Sequence, residues 1–496
     1  MNFLTHIKSN SKIEVLDDSE NIINLSELKE IVDFNSSIIN QLNIRHTDTI
    51  AIVLENGPCF ITSFLSIINV CISAPLNPKY SEREFSFYFK DLNPKALVTN
   101  VEKDHPSIKV AKRNKVNILK LDKFFFNIQK TSINNKSSKI KLSQMNDLAL
   151  ILHTSGTTSK PKMVALSHIN LISSARNISN TLKLSTKDKN IILMPSFHIH
   201  GIVASILAPL YIGAKVVALP KFNVLTFYKS LKKHNPTWFT AVPTMLQSIL
   251  DRSKNNKLTI KENKLRFIRS SSASLPVKTL KELEETFKVP VIESYGMTEA
   301  AHQMTSNLLP PFKRKVGSVG VATGIKVKVV STSYKFLRYG KEGEIVIKGK
   351  NVLKKYLANI VANKNSFFKG WFRTGDLGYF DKDGYLYITG RIKEIINRGG
   401  EKISPKEVDE VFIKHPKVSK AVSFSLKHSK LGEDIALAVV LKSEKSCTER
   451  ELKEFAYNKL ANFKIPRNIF FLKEIPVGAT GKLQRIGLAK KLGLEK

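Results

Sequence analysis

Between Thr154 and Lys162 the chain reads Thr-Ser-Gly-Thr-Thr-Ser-Lys-Pro-Lys: hydroxyls and lysines gathered around a single glycine. Small side chains beside a glycine let backbone N–H groups approach an anion closely, and hydroxyls and ammonium groups add further donors. That chemistry suits a polyphosphate. The string lacks the Gly-Lys-Ser/Thr ending of a P-loop, so the grip on phosphate is of another kind. No Gly-x-Ser-x-Gly nucleophile elbow occurs anywhere in the chain, which points to positioning and electrostatics instead of a covalent serine intermediate.

Such a loop needs a rigid element behind it. The apolar run Leu148–His153 reads as a strand that delivers the chain into the loop. Other strand-like runs, Thr49–Leu54, Ala96–Thr99, Ile191–Met194 and Lys215–Ala218, alternate with helical patterns. This alternation predicts an α/β fold with mainly parallel strands. The Asn-, Ser- and Lys-rich stretch Asn127–Asn146 reads as a surface connection ahead of a central strand. Lys341–Ile347 and Tyr385–Thr389 show the period-two alternation of antiparallel strands. The pattern breaks at Gly390–Gly400, and the remaining hundred or so residues suffice for a small α+β domain with its own core. The expected division is 1–391 and 392–496, with the boundary at Arg391–Lys393.

The 496 residues are 42% hydrophobic and 24% charged, the balance of a globular chain. Cys59, Cys71 and Cys447 are too few and too scattered for a disulfide or zinc framework. The N-terminal MNFLTHIKSNSKIEV lacks an apolar core of about 7–15 residues, so no secretory signal is expected. The apolar stretch Phe60–Leu76 is interrupted by Thr62, Ser63, Ser66, Asn69 and Ser73, too polar for a membrane span. The formal net charge of +37 invites a nucleic-acid reading. The excess is lysine spread over the whole chain, however, and it reads mainly as solvated surface.

With its flanks included, the loop string resembles the signature of the adenylate-forming superfamily, which contains acyl-CoA synthetases, luciferases and peptide-synthetase adenylation domains. Further strings follow in that family's order: Phe197–Gly201, Thr240–Thr244, Ser270–Leu275, Ser294–Ala300, Trp371–Asp376, Arg398–Pro405 and Pro476–Lys482. The resemblance implies a large N-terminal adenylate-forming domain and a small mobile C-terminal domain. It also implies two half-reactions: attack of a carboxylate on the α-phosphate of MgATP, then displacement of AMP by the thiol of CoA.

Residue by residue, the resemblance places Thr154, Ser155, Gly156, Thr157, Thr158 and Lys162 around the ATP phosphates. Ala273 lies beside adenine, Ser294, Tyr295 and Gly296 form its platform, and Tyr295 stacks on it. Thr298 meets phosphate, and Glu299 helps to hold Mg²⁺, which suits a hard cation bridging phosphates. Asp376 takes the ribose hydroxyls, a task for a two-oxygen acceptor. Arg391 reaches ribose and phosphate, Lys393 is the hinge, and Lys402 meets phosphate or CoA. Thr240–Thr244 is assigned packing alone. Lys482, on a glycine-flanked loop, carries its ammonium to the carboxylate and α-phosphate as charge builds.

Four polar residues fall in segments that wall the acyl pocket in this family: His198, His200, Ser272 and His302. A pocket for a long acyl or aryl chain is apolar. This set instead predicts a small, polar, dianionic acid, and MTEAAHQMTSN with NRGGEKISPKEVD most resembles the oxalate–CoA ligase branch. Ala301 departs from that branch, where serine is expected. The competing readings are a ligase for a medium-chain fatty or 4-coumarate-like acid and, from another class, a basic nucleic-acid binder. The C-terminus LGLEK lacks a peroxisomal Ser-Lys-Leu tail, so the expected location is cytoplasmic, without membrane or nucleic-acid partners.

Overall fold

The computed structural model describes residues 2–7, 11–19, 21–128, 141–154, 161–442, 445–478 and 484–495. The most apolar stretch forms the helix Pro58–Val70 and the strand Ile72–Pro75. Pro58 sits in the first helical turn, where its missing N–H has no partner to lose. Phe60 through Val70 are all buried, as suits a helix apolar on every face. Most of its polar residues bond within the protein. Ser66 donates to the Thr62 carbonyl at 2.7 Å, Asn69 donates to Ser36 at 3.1 Å, and Asn2 donates to Asn69 at 2.7 Å. No helix among the described residues is long and apolar enough to cross a membrane.

Two large sheets make up most of the N-terminal domain. In the first, Lys189–Ile192 lies between Lys215–Ala218 and Trp238–Ala241, and Phe267–Ser270 and Val291–Met297 extend the parallel run. In the second, Thr49–Val53 runs parallel to both Ile72–Pro75 and Ala96–Thr99. One apolar cluster draws on both sheets, with Ile52, Leu119 and Leu150 from one and Val216, Trp238 and Ile292 from the other.

The strand Leu148–Thr154 is second from the edge of its sheet, not central. The chain returns as Lys162–Ser167, an antiparallel partner that forms the edge. The surface connection expected at Asn127–Asn146 begins inside a strand, Phe125–Ile128, and residues 129–140 lie outside those described.

The predicted antiparallel strands appear as Gly343–Lys348 and Leu386–Arg391, but they do not pair with each other. Trp371–Phe380, which carries Asp376, lies between them. After Arg391 a smaller C-terminal domain is built on Val418–His428 paired with Gly432–Leu441. Ile403, Val408, Phe412, Leu437 and Leu452 form its separate core. Ser404 Oγ donates to the Thr389 carbonyl at 2.6 Å, tying its first helix back to the strand before it.

Candidate active site

The expected nucleotide and acyl residues follow the carboxyl ends of the parallel strands. His198 and His200 come after Lys189–Ile192, Ser272 and Ala273 after Phe267–Ser270, and Thr298 and Glu299 after Val291–Met297. Ligands of open α/β sheets bind at that end.

Thr154 and Lys162, at the two ends of the string expected at phosphate, are paired across antiparallel strands. Ser155, Gly156, Thr157 and Thr158 lie outside the described residues. The Lys162 ammonium stands over the Tyr356 ring, 4.7 Å from its centroid. Burial pushes the Lys162 pKa down, the nearby Lys393 ammonium adds to this, and Glu299 opposes it. Lys393 therefore reaches the field of the phosphate-loop lysine from an exposed position in the short turn after Arg391.

Thr298 and Glu299 form a single 3₁₀ turn at the end of Val291–Met297. Glu299 is buried, and Tyr356 donates its hydroxyl to Oε1 at 2.9 Å. Burial raises the Glu299 pKa, while Tyr356, Lys162 and Arg391 all work to keep it ionised. A buried carboxylate with its charge incompletely compensated is a suitable donor for a hard divalent cation, and that supports Glu299 as a Mg²⁺ ligand. Tyr356 was not singled out in the sequence. It lies outside every motif, and only the fold brings it to Glu299.

Tyr295 is buried, and its hydroxyl donates to Asp376 Oδ2 at 2.5 Å. Asp376 pairs across two antiparallel strands with Arg391, whose Nε meets Oδ1 at 2.6 Å. The Arg391 side chain is 47% exposed, and Asp376 is the main cause that raises its pKa. Ser294 faces inward, donating to the Ser270 carbonyl at 3.3 Å, so its hydroxyl ties two strands together. Ala273 is exposed beside them. Gly296 is required by space: a Cβ there would stand 1.8 Å from the His302 carbonyl oxygen.

The residues expected at the acyl side form a connected polar group. His200 opens a π-helical segment, His200–Leu207, a winding often found at functional sites. Gly201 allows it to pack tightly, since a Cβ would lie 2.2 Å from the Pro195 carbonyl oxygen. His200 Nδ1 bonds Ser272 Oγ at 3.0 Å, and the His200 and His302 rings stack at 4.6 Å. Ser272 and His302 both hold positive φ, 75° and 94°, a strained backbone of the kind found at binding sites. His198 accepts the His200 backbone N–H at Nδ1, 3.3 Å away, and so shapes the segment itself. Ala301, the departure from serine, is fully buried with φ 46° and caps the 3₁₀ turn.

Beneath these rings lies Arg269, fully buried and absent from the sequence reading. Its NH1 donates to Thr240 Oγ1 at 3.0 Å and contacts His200 Nε2 at 3.3 Å. Its NH2 donates to Gln303 Oε1 at 3.0 Å and to His302 Nε2 at 3.1 Å. Thr240, assigned packing alone from the sequence, is therefore part of the polar group, with its Oγ1 2.6 Å from His200 Nε2. The only signal in the sequence was an arginine directly after the apolar pair Phe267-Ile268.

In the C-terminal domain Lys402 is exposed on the strand Glu401–Ile403. Lys482 lies outside the described residues. Its near neighbour Arg485 is held firmly, with NH2 2.8 Å from Asp409 and Nε 3.2 Å from Glu394.

The AMP-binding enzyme model matches residues 5–357, and the AMP-binding enzyme C-terminal domain matches residues 407–482. The oxalate–CoA ligase of Arabidopsis thaliana is 42% identical over 461 residues, covering 91% of this chain and 89% of its own. The oxalate–CoA ligase of Saccharomyces cerevisiae is 41% identical, covering 89% of this chain and 86% of its own. Among solved structures, ATP-bound MatB from Rhodopseudomonas palustris superposes with a TM-score of 0.89 at 26% identity, covering 99% of both chains. The o-succinylbenzoate–CoA synthetase of Bacillus subtilis with ATP and a magnesium ion gives 0.84 at 30% identity, covering 98% of this chain and 99% of that one.

Proposed function

This chain belongs to the AMP-binding enzyme family and is an AMP-forming CoA ligase, and from that premise we propose that the acid it activates is oxalate. A carboxylate resists nucleophiles because its charge repels them and oxide is a poor leaving group. Attack of one carboxylate oxygen on the α-phosphate of ATP expels pyrophosphate and leaves an acyl-adenylate. The CoA thiol then displaces AMP, and the thioester forms.

In this reading the residues position and neutralise. Asp376 accepts the ribose hydroxyls while Tyr295 supports adenine beside Ala273. Thr154, Lys162 and Thr298 donate to phosphate oxygens, and Lys482 meets the charge that builds at the reacting carboxylate. Magnesium, held by Glu299, offsets phosphate charge when bound. Residues 1–391 carry all of these groups except Lys482, and residues 392–496, which carry it, turn about Lys393 to bring Lys402 and the glycine turn Gly399–Gly400 to CoA.

The observation that carries oxalate is the polar lining of the acyl side: Ser272, His200 and His302 backed by a buried guanidinium. Once one carboxylate of oxalate is activated, the other stays charged in the pocket. Burying that charge unpaired costs several kcal/mol, roughly, and these donors meet it. The oxalate–CoA ligase relatives support the same acid. A pyrophosphate-release screen with oxalate, malonate, acetate, hexanoate and 4-coumarate tests it. Oxalate should give the highest kcat/KM, and His302→Ala should lower that value at least about tenfold, roughly 1.4 kcal/mol. Hexanoate or 4-coumarate outrunning oxalate overturns the assignment.

A further inference from the structure

Arginine has only donors, so every hydrogen bond it makes fixes the direction of its partner. Arg269 NH1 donates to Thr240 Oγ1 and also meets His200 Nε2 at 3.3 Å, a contact in which the guanidinium can only donate. His200 Nε2 is then an acceptor, and the ring carries its proton on Nδ1, where it donates to Ser272 Oγ. Ser272 in turn keeps its own hydroxyl hydrogen to give away. On the second branch Arg269 NH2 donates to His302 Nε2, so that ring also carries its proton on Nδ1. Gln303 Oε1 takes the remaining NH2 donor, and its amide nitrogen passes the same direction on to Thr323 Oγ1 at 3.1 Å.

We infer that Arg269 is the positioning residue of the acyl pocket: it locks His200 and His302 as neutral Nδ1–H tautomers and orients the chain Arg269–Thr240–His200–Ser272 so that it ends in a donor. This rests on the acyl pocket proposed above and explains how it selects an anionic oxygen ligand. Among the described residues no ion pair involves Arg269, so its charge lies beneath the pocket uncompensated by a carboxylate. Burial pushes its pKa down to about 9, which still leaves it protonated at neutral pH. The titratable groups in contact with it are the two imidazoles, Thr240 and Gln303 take its other terminal hydrogen bonds, and its buried Nε has no hydrogen-bond partner among the described residues. A substrate whose distal group is an oxygen anion meets a donor and a net positive charge. An apolar acid strands both.

Two measurements test this. In the wild-type enzyme labelled with ¹⁵N-histidine, nitrogen shifts for His200 and His302 should report protonated Nδ1 and bare Nε2 near neutral pH. Protonated Nε2 on either ring overturns the inference, and this readout needs neither substrate nor variant. In the second, Arg269→Gln removes the charge and frees both Nε2 atoms. Its kcat/KM for oxalate should fall at least about a hundredfold with the ATP KM within about threefold. The residual activity should acquire a protonation step near the ordinary histidine pKa of about 6.5. Arg269→Lys restores the charge but not the two-pronged fork, so its recovery should be partial. An Arg269→Gln enzyme with wild-type kcat/KM and pH profile overturns the inference. A wild-type enzyme that ignores oxalate while both rings show the Nδ1–H tautomer sinks the oxalate assignment alone.

Discussion

Tyr295 donates its hydroxyl to Asp376 across 2.5 Å, joining the residue expected under adenine to the carboxylate expected on ribose. A carboxylate offers about four lone-pair sites. Tyr295 and Arg391 each take one and on opposite oxygens, which leaves capacity for the two ribose hydroxyls. Asp376→Ala should therefore raise the ATP KM at least about tenfold, measured by pyrophosphate exchange. Tyr295→Phe keeps the ring and should raise it only a few-fold. Equal effects would mean that the hydroxyl, and not the ring, is what the nucleotide requires.

Lys482 acts in the first half-reaction alone if the small domain turns between steps. Lys482→Ala should abolish pyrophosphate release from oxalate and ATP yet leave thiolysis of supplied oxalyl-adenylate largely intact. Comparable loss in both half-reactions contradicts a two-conformation cycle.

Arg485 anchors the chain just past that lysine. Asp409 is buried and accepts from Arg485 and Ser423, and Glu394, next to the proposed hinge residue Lys393, takes Arg485 Nε. Removing one partner of a buried pair costs about 3–5 kcal/mol. Arg485→Ala should lower the melting temperature by several degrees and cut adenylation more than thiolysis. Arg485→Lys should recover stability better than adenylation. A variant with unchanged melting and unchanged adenylation would show that the anchor is idle.

Glu293 offers a pH test. It is 3% exposed, Oε1 accepts the Leu275 N–H at 3.1 Å, and burial pushes its pKa up to about 7 from 4.5. Below about pH 4.5 the group is neutral in both folded and unfolded chains. As pH rises from there to about 7 the unfolded chain releases a proton that the folded one retains, so stability falls across that window. Glu293→Gln should remove this slope, matching wild type near pH 4.5 and exceeding it at pH 8 by on the order of 1–3 kcal/mol. Denaturant midpoints at the two pH values check it. A variant less stable than wild type at pH 8 would count against a neutralising burial.

The parts legible in the sequence were those whose meaning is local. Thr154–Lys162, Ser294–Ala300 and Trp371–Asp376 are contiguous strings; apolar runs in parallel strands lead into the first two, and the third lies in an antiparallel strand. Arg269 was not legible, because its partners come from the neighbouring strand, the π-helical segment and an antiparallel return. Nothing within Phe267–Ser270 says that Thr240 lies opposite. Tyr356 was hidden for the same reason: its hydroxyl matters only once the fold carries it to Glu299. The period-two runs correctly foretold antiparallel strands. They could not show that Trp371–Phe380 would lie between them, since pairing order is set by the sheet and not by either strand.

The close approach of Gly296 to His302 bears on how such an enzyme can change its diet. With only 1.8 Å between a hypothetical Cβ at 296 and the carbonyl oxygen of 302, the main chain at 302 has no freedom to wander without moving the nucleotide platform. The side chain at 302 is held instead by Arg269 and the His200 ring, both outside that close approach. A lineage, or an engineer, can thus trade one acid for another by exchanging the residue at 302 and its neighbours in the polar group while the machinery for ATP stays where it is. Selectivity and activation are inherited as separate parts, soldered together at a single glycine.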